Sequence, residues 1–143
     1  MPKPQITLKL PFPPSVNQLW RAIPNRGMIL SRAGRKYRDE AIYWIKEQSK
    51  RINPLGGRLE VLLEVYPPDR RKRDVSNIPK AVEDAITKAE IIWVDDEQID
   101  DLRIIRREVR KPACVVVHIR QLPKTFNMDD RTCEDMGWKS CDR

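Results

Sequence analysis

The chain has 143 residues, with 28 Lys and Arg against 21 Asp and Glu, for a formal net charge of +7. That length admits one domain with a modest core, and the basic excess favours an anionic partner such as nucleic acid. No stretch approaches the ~18 apolar residues of a membrane span, and the opening MPKPQITLKLPFPP lacks the continuous apolar run of a secretory signal, so a cytosolic protein without a membrane partner is expected.

Gln5 to Leu10 (QITLKL) alternates polar and apolar residues and reads as a first strand. The prolines of PFPPSVNQLWR preclude regular structure until about Ser15. NRG at 25–27 signals a turn, and MILS reads as a short second strand. Ser31 then caps a helix predicted from Arg32 to Arg51, with Ala41, Ile42, Trp44 and Ile45 on its apolar face and Tyr37 a turn before. NPLGG ends that unit, and RLEVLLEVYPP (Arg58 to Pro68) is the next strand.

A basic loop, RRKRDVSN, leads to a second helix. Pro79 lacks an N–H and is tolerated only in the first helical turn, which points to Ser76 or Asn77 as N-cap and leaves Asp74 in the loop. Ile78, Ala81, Val82, Ala85, Ile86 and Ala89 form its buried stripe. A short apolar piece, an acidic turn at Asp95 to Glu97, a strand near Leu102 to Val109 and a final strand in ACVVVHIR complete the domain. The order is roughly β-β-α-β-α-β-β, a mixed α/β (α+β) arrangement with one sheet and two main helices.

From Lys124 the character changes. Residues 124–143 hold four bases and five acids, which leaves +8 on residues 1–123. Without periodicity, this stretch reads as a flexible C-terminal extension of a 1–123 domain. Cys114, Cys133 and Cys141 form no even disulfide framework and suit a reducing compartment. With His118 they offer four zinc donors. No CxxC spacing occurs, however, and Cys114 and His118 fall on a strand, so the pattern argues against zinc. His118 is expected as a surface or interface residue of that strand.

The chemistry concentrates in the loop and the acidic turn. Arginines attract phosphate while carboxylates repel it, and the two belong together where the carboxylates hold a divalent cation. Magnesium takes oxygen ligands and keeps several waters, so two or three carboxylates suffice. Asp74 at a helix entrance and Asp95 or Asp96 some twenty residues on are expected to converge, the helix between them returning the chain to the same end. On the residues alone, metal-dependent phosphodiester cleavage and plain nucleic-acid binding both stay open. Asp74 as a dipole-favoured residue and DDEQ as a polar turn are the ordinary readings of the same segments.

PPDRRKRDVSNIPKAVEDAITKAEIIWVDDEQIDD resembles the central motif of the RusA family of Holliday junction resolvases. LPFPPSVNQLWR and SRAGRKYRDE match the same family in the same order, so the likeness runs from about residue 5 to residue 120. It implies a homodimeric, magnesium-dependent endonuclease, with manganese as the alternative ion, that resolves four-way DNA junctions by paired nicks. Such proteins are common in phages and prophages.

Carried over by position, the resemblance makes Asp74 and Asp96 metal-binding and catalytic, with Asp95 beside them. It makes Lys80 the catalytic lysine and Arg73 the basic residue before the first aspartate. One position departs from the pattern: Ser76 stands where the family has a second aspartate. Ser76 then either ligates through water, or caps the helix in a weakened enzyme, or is compensated by another acid. Glu83 is the candidate, sharing a helical stripe with positions 76 and 80; a Lys80–Glu83 pair is the ordinary alternative.

Arg70, Arg71, Lys72 and Arg73 are expected to grip backbone phosphates. Asn17 and Arg21 add DNA contacts, as do Arg32, Arg35 and Lys36 near the start of the first helix, with Arg38 extending that basic surface. Trp20 is read as a core anchor, with stacking on a base as the alternative. ACVVVHI is either a sheet edge available to a dimer or an interior strand. Ser76 keeps open a DNA-structure-binding protein without catalysis, and a nuclease without junction preference is a third reading.

Overall fold

A computed structural model describes residues 4–51 and 53–123. Alternation builds the sheet. β1 (Ile6–Pro11) turns Ile6, Leu8 and Leu10 inward, and β4 (Leu59–Tyr66) turns in Leu59, Val61, Leu63 and Val65. With β5 (Ile99–Arg106) and β6 (Cys114–Gln121) they form a four-stranded sheet in the order β1-β6-β4-β5. β4 and β5 are parallel, and the other two pairings are antiparallel. The mixed α+β class is as expected. Two details differ. The second predicted strand lies outside the main sheet, as β3 (Gly27–Leu30) of a separate hairpin with β2 (Trp20–Ile23). β5 also starts and ends three residues before the expected Leu102 and Val109, beginning directly after the acidic turn.

Two long helices cover one face of the sheet. α2 (Arg32–Gln48) follows the short α1 (Val16–Leu19), and α3 (Pro79–Ala89) connects β4 to β5. Ser31 caps α2 as expected, its Oγ accepting from the Gly34 N–H at 3.0 Å. The helix stops three residues short of Arg51, with Ser49 as C-cap. Tyr37, Ala41 and Ile45 are buried, whereas Trp44 is 44% exposed, because it sits one position off the 37–41–45 stripe. All six residues of the predicted α3 stripe are buried. Ala41, Ala81 and Ala85 meet where α2 and α3 pack, and their small side chains allow close approach.

The two edges of the sheet differ. Along β1, the Gln48 side chain accepts from the Lys9 N–H and donates to the Lys9 carbonyl, each at 2.7 Å, and Tyr37 O–H donates to Pro11 O at 3.0 Å. These groups stand in for a strand partner. Among the described residues β5 pairs only with β4, and Leu102 is 42% exposed along it. ACVVVHI, as β6, is interior, which settles its two readings against an edge. Residues 124–143, including Cys133 and Cys141, lie outside the described residues. Among those described, no helix is long and apolar enough to cross a membrane.

Candidate active site

The loop after β4 ends in a tight turn. Asp74 Oδ1 accepts from the Ser76 N–H at 3.0 Å and the Ser76 hydroxyl at 2.7 Å, capping a 3₁₀ turn over Val75–Asn77. α3 proper begins at Pro79, with Ile78 at its N-cap. Neither Ser76 nor Asn77 therefore caps the α-helix. Ser76 serves Asp74 instead, and it lies outside the helical register assumed for positions 76, 80 and 83. The hydrogen bonds from Ser76, side chain first and then backbone, hold the Asp74 carboxyl below the usual aspartate range, and the Arg106 charge adds to this. Asp74 is exposed and ionised at neutral pH.

The acidic turn is built on Gln98. Its Oε1 accepts from the Val94 and Asp95 N–H groups at 2.8 and 3.1 Å, and its Nε2 donates to the Leu55 and Gly57 carbonyls, each at 3.0 Å. One side chain thus pins the turn against the entry to β4. Arg58 sorts the acids of this segment. It binds Glu97 Oε1 at 3.0 Å and Asp100 Oδ1 at 2.6 Å. Among the described residues, Asp95 and Asp96 have no ion pair. A hydrogen bond shared with Asp95, together with burial, raises the Asp96 pKa above the ordinary value. Crowded carboxylates with raised proton affinity are what a bound cation relieves.

Lys80 pairs with Asp84 at 3.1 Å, not with Glu83. That bond raises its pKa, and Asp96 and Glu83 contribute more weakly. Glu83 is half-buried, and desolvation first, then the Asp96 charge, pushes its pKa up to about 7. Lys80, Asp84, Asp95 and Asp96 border one cavity of about 720 Å³, floored by Trp20, Tyr37 and Trp93 among others. Trp20 is partly buried, anchored against the α2–α3 packing while it walls this cavity.

The two carboxylate stations do not converge within one chain as expected. β4 and β5 are parallel, so the helix between them must carry the chain back to the starting end of the sheet. Asp74 lies past the end of β4, where Arg106 of β5 donates to the Arg73 carbonyl. Asp95 and Asp96 precede Ile99, at the opposite end of β5. Eight strand residues separate the two ends by roughly 20–25 Å. Among the described residues, no three His, Cys, Asp or Glu side chains cluster closely enough to hold a metal ion.

The basic residues divide likewise. Arg70, Arg71 and Lys72 are exposed. Arg73 turns inward, bound to Asp69 Oδ1 at 2.7 Å with its guanidinium 5.7 Å from the Phe12 ring centroid. Asn17 on α1, Arg21 on β2, and Arg32, Arg35 and Lys36 on the first turns of α2 are all exposed. Arg106 and Arg107 join the basic loop across the parallel β4–β5 pairing, a juxtaposition sequence reasoning missed. The run RIIRREVRK was the available signal. His118 is half-buried and bonded to Glu64 at 2.5 Å and Thr7 at 3.2 Å.

The class these features define is a basic α+β domain with two carboxylate stations set in a cationic surface. The family model for Endodeoxyribonuclease RusA matches residues 11–120. The chain is 40% identical over 117 residues to "Crossover junction endodeoxyribonuclease RusA" of Shigella sonnei and of Escherichia coli K12, covering 81% of this chain and 94% of each relative. It is 40% identical over 116 residues to the protein of the same name from Enterobacteria phage 82, covering 80% and 93%. The chain belongs to the RusA endodeoxyribonuclease family.

Proposed function

We propose that this protein is a metal-dependent endodeoxyribonuclease that resolves four-way DNA junctions by paired nicks, acting as a homodimer. The observation that carries it is Asp74, an ionised carboxylate fixed by Ser76 inside an arginine-rich loop, in a chain 40% identical to crossover junction endodeoxyribonucleases. Asp74, Asp95 and Asp96 are hard oxygen donors without a salt bridge among the described residues, which suits Mg²⁺ or Mn²⁺. When bound, the ion would polarise a phosphoryl oxygen and lower the pKa of a water. Lys80, released from its pair with Asp84, would stabilise charge on the phosphoryl group being transferred. Arg70, Arg71 and Lys72 hold backbone phosphates, and Asn17 of α1 with the exposed bases of β2 and α2 extend that grip toward a second arm.

The separation of Asp74 from Asp96 bears on the dimer. Among the described residues β5 is an unpaired edge of the sheet, and two copies pairing β5 antiparallel about a twofold axis would set the Asp96 end of one against the Asp74 end of the other. Each site then draws on both copies, and the twofold relation gives two sites for two matched cuts. A non-catalytic junction binder is the second reading, supported by Ser76 in place of a family aspartate. A Ser76→Asp variant that sharply raises Mg²⁺ affinity would place position 76 in the metal shell.

The test is a labelled four-way junction and a matching duplex, each incubated in chelator and then with Mg²⁺ or Mn²⁺. Paired nicks across the branch point, only with metal and only in the junction, are expected. Binding without nicks would favour the second reading, and equal cutting of the duplex would remove junction selectivity.

A further inference from the structure

A second cavity, of about 460 Å³, lies between the basic loop and the far end of β5, on the Asp74 side of the molecule. Its walls combine two chemistries. Phe12, Val65, Pro67 and Ile78 are among its apolar lining, and Arg70, Arg71, Arg73, Arg106 and Arg107 supply guanidinium groups. Three of the five arginines bind carboxylates: Arg71 and Arg73 share Asp69, and Arg107 binds Glu64. Arg70 and Arg106 have no carboxylate salt bridge among the described residues, although Arg106 donates to the Arg73 carbonyl. Glu108 also lines the cavity, 3.5 Å from Arg110, so five guanidinium groups face two lining carboxylates, Asp69 and Glu108, above an apolar floor.

Size restricts what enters. A duplex about 20 Å across cannot, whereas a pocket in the small-molecule range takes one nucleotide. An apolar wall bearing an Arg–Phe stack suits the face of a base, and two free guanidiniums suit its phosphate. Within a continuous helix, extruding a nucleotide costs a few kcal/mol, and that cost is least where pairing is already broken. A branch point is such a place.

We infer that this cavity receives one DNA nucleotide displaced from the stack at the branch point, its phosphate held by Arg70 and Arg106 and its base against the Phe12 wall. The inference rests on the junction-binding reading and deepens it. It gives the protein a means to tell a junction from a duplex that needs no base sequence, because the nucleotide is available only where strands exchange.

The test uses four-way junctions carrying 2-aminopurine, whose fluorescence rises when it leaves the stack, at each branch-point position in turn or in a duplex arm. The full chain is added in chelator, and binding is followed separately by gel shift. The expected result is a several-fold rise at one branch-point position and none in the arm. Arg106→Gln and Phe12→Leu should each abolish that rise. Arg106→Gln should also weaken junction binding several-fold while changing duplex binding little. Junction binding with no rise at any branch position would overturn the cavity assignment and leave the junction reading standing. So would a rise that persists in both variants. Failure to bind the junction at all would overturn both.

Discussion

A carboxylate that holds a cation must give up its proton, and Asp74 and Asp96 meet that demand differently. Asp74 is kept ionised by the Ser76 N–H and hydroxyl, so it is ready without a metal. Asp96 is crowded by Asp95 and partly buried, so a cation would relieve it. Asp74→Asn and Lys80→Met should each lower junction cleavage by about 10²–10⁴-fold, with gel-shift binding in chelator retained; loss of binding in parallel with activity would argue against catalytic roles. Glu83 gives a pH signature. Its folded pKa, about 7, lies above the ordinary 4.5, so the folded state keeps a proton that the unfolded chain has lost. Stability should therefore fall as pH rises from about 4.5 through 7. Glu83→Gln in metal-free protein should flatten that slope, leaving the variant more stable at pH 8 by about 1–2 kcal/mol once partial exposure is discounted. Thermal unfolding at pH 5 and pH 8 checks it, and parallel shifts at both would contradict it.

At the scale of elements, what was legible followed periodicity. The period-2 alternation of Gln5–Leu10 and the 3.6-period stripe from Ile78 to Ala89 each marked an element whose inward face is buried as read. β2 was illegible because Trp20–Ile23 carries no alternation: its ends are half-buried and its middle exposed. The helix N-cap was misplaced because the Asp74 turn inserts three 3₁₀ residues before Pro79. Arg106 and Arg107 could not be placed from sequence, since only the β4–β5 register brings them beside the basic loop. Convergence of Asp74 and Asp96 was misjudged because the helix was taken to return the chain to the same end of the sheet, whereas between parallel strands it returns the chain to the end where β4 began. Two substitutions probe elements directly. A Cβ on Gly34 would lie 2.6 Å from the Leu19 carbonyl oxygen and 2.7 Å from Leu30 Cδ1. The backbone carbonyl cannot yield as a flexible tip would, so Gly34→Ala should cost roughly 1–2 kcal/mol net despite a helix-propensity gain of about 1. Unchanged thermal stability would contradict this close packing of α2 against α1 and β3. If β5 carries the proposed dimer, Leu102→Asp should leave the fold intact and shift the protein to monomer in sedimentation velocity; a variant that stays dimeric would move the interface elsewhere.

At the scale of the molecule, a parallel β4-α3-β5 unit separates the two carboxylate stations, and a twofold axis perpendicular to β5 would reunite them between copies. Subunit mixing measures this directly. Asp74→Asn and Asp96→Asn are each inactive alone if both aspartates serve cleavage. In a mixed dimer whose sites span the two copies, one site carries both substitutions and the other carries neither. Co-refolding the two inactive variants and assaying the mixture on a four-way junction with Mg²⁺ should therefore restore single nicks without paired ones. A mixture that forms dimers yet stays as inactive as its components would contradict a site built from two chains.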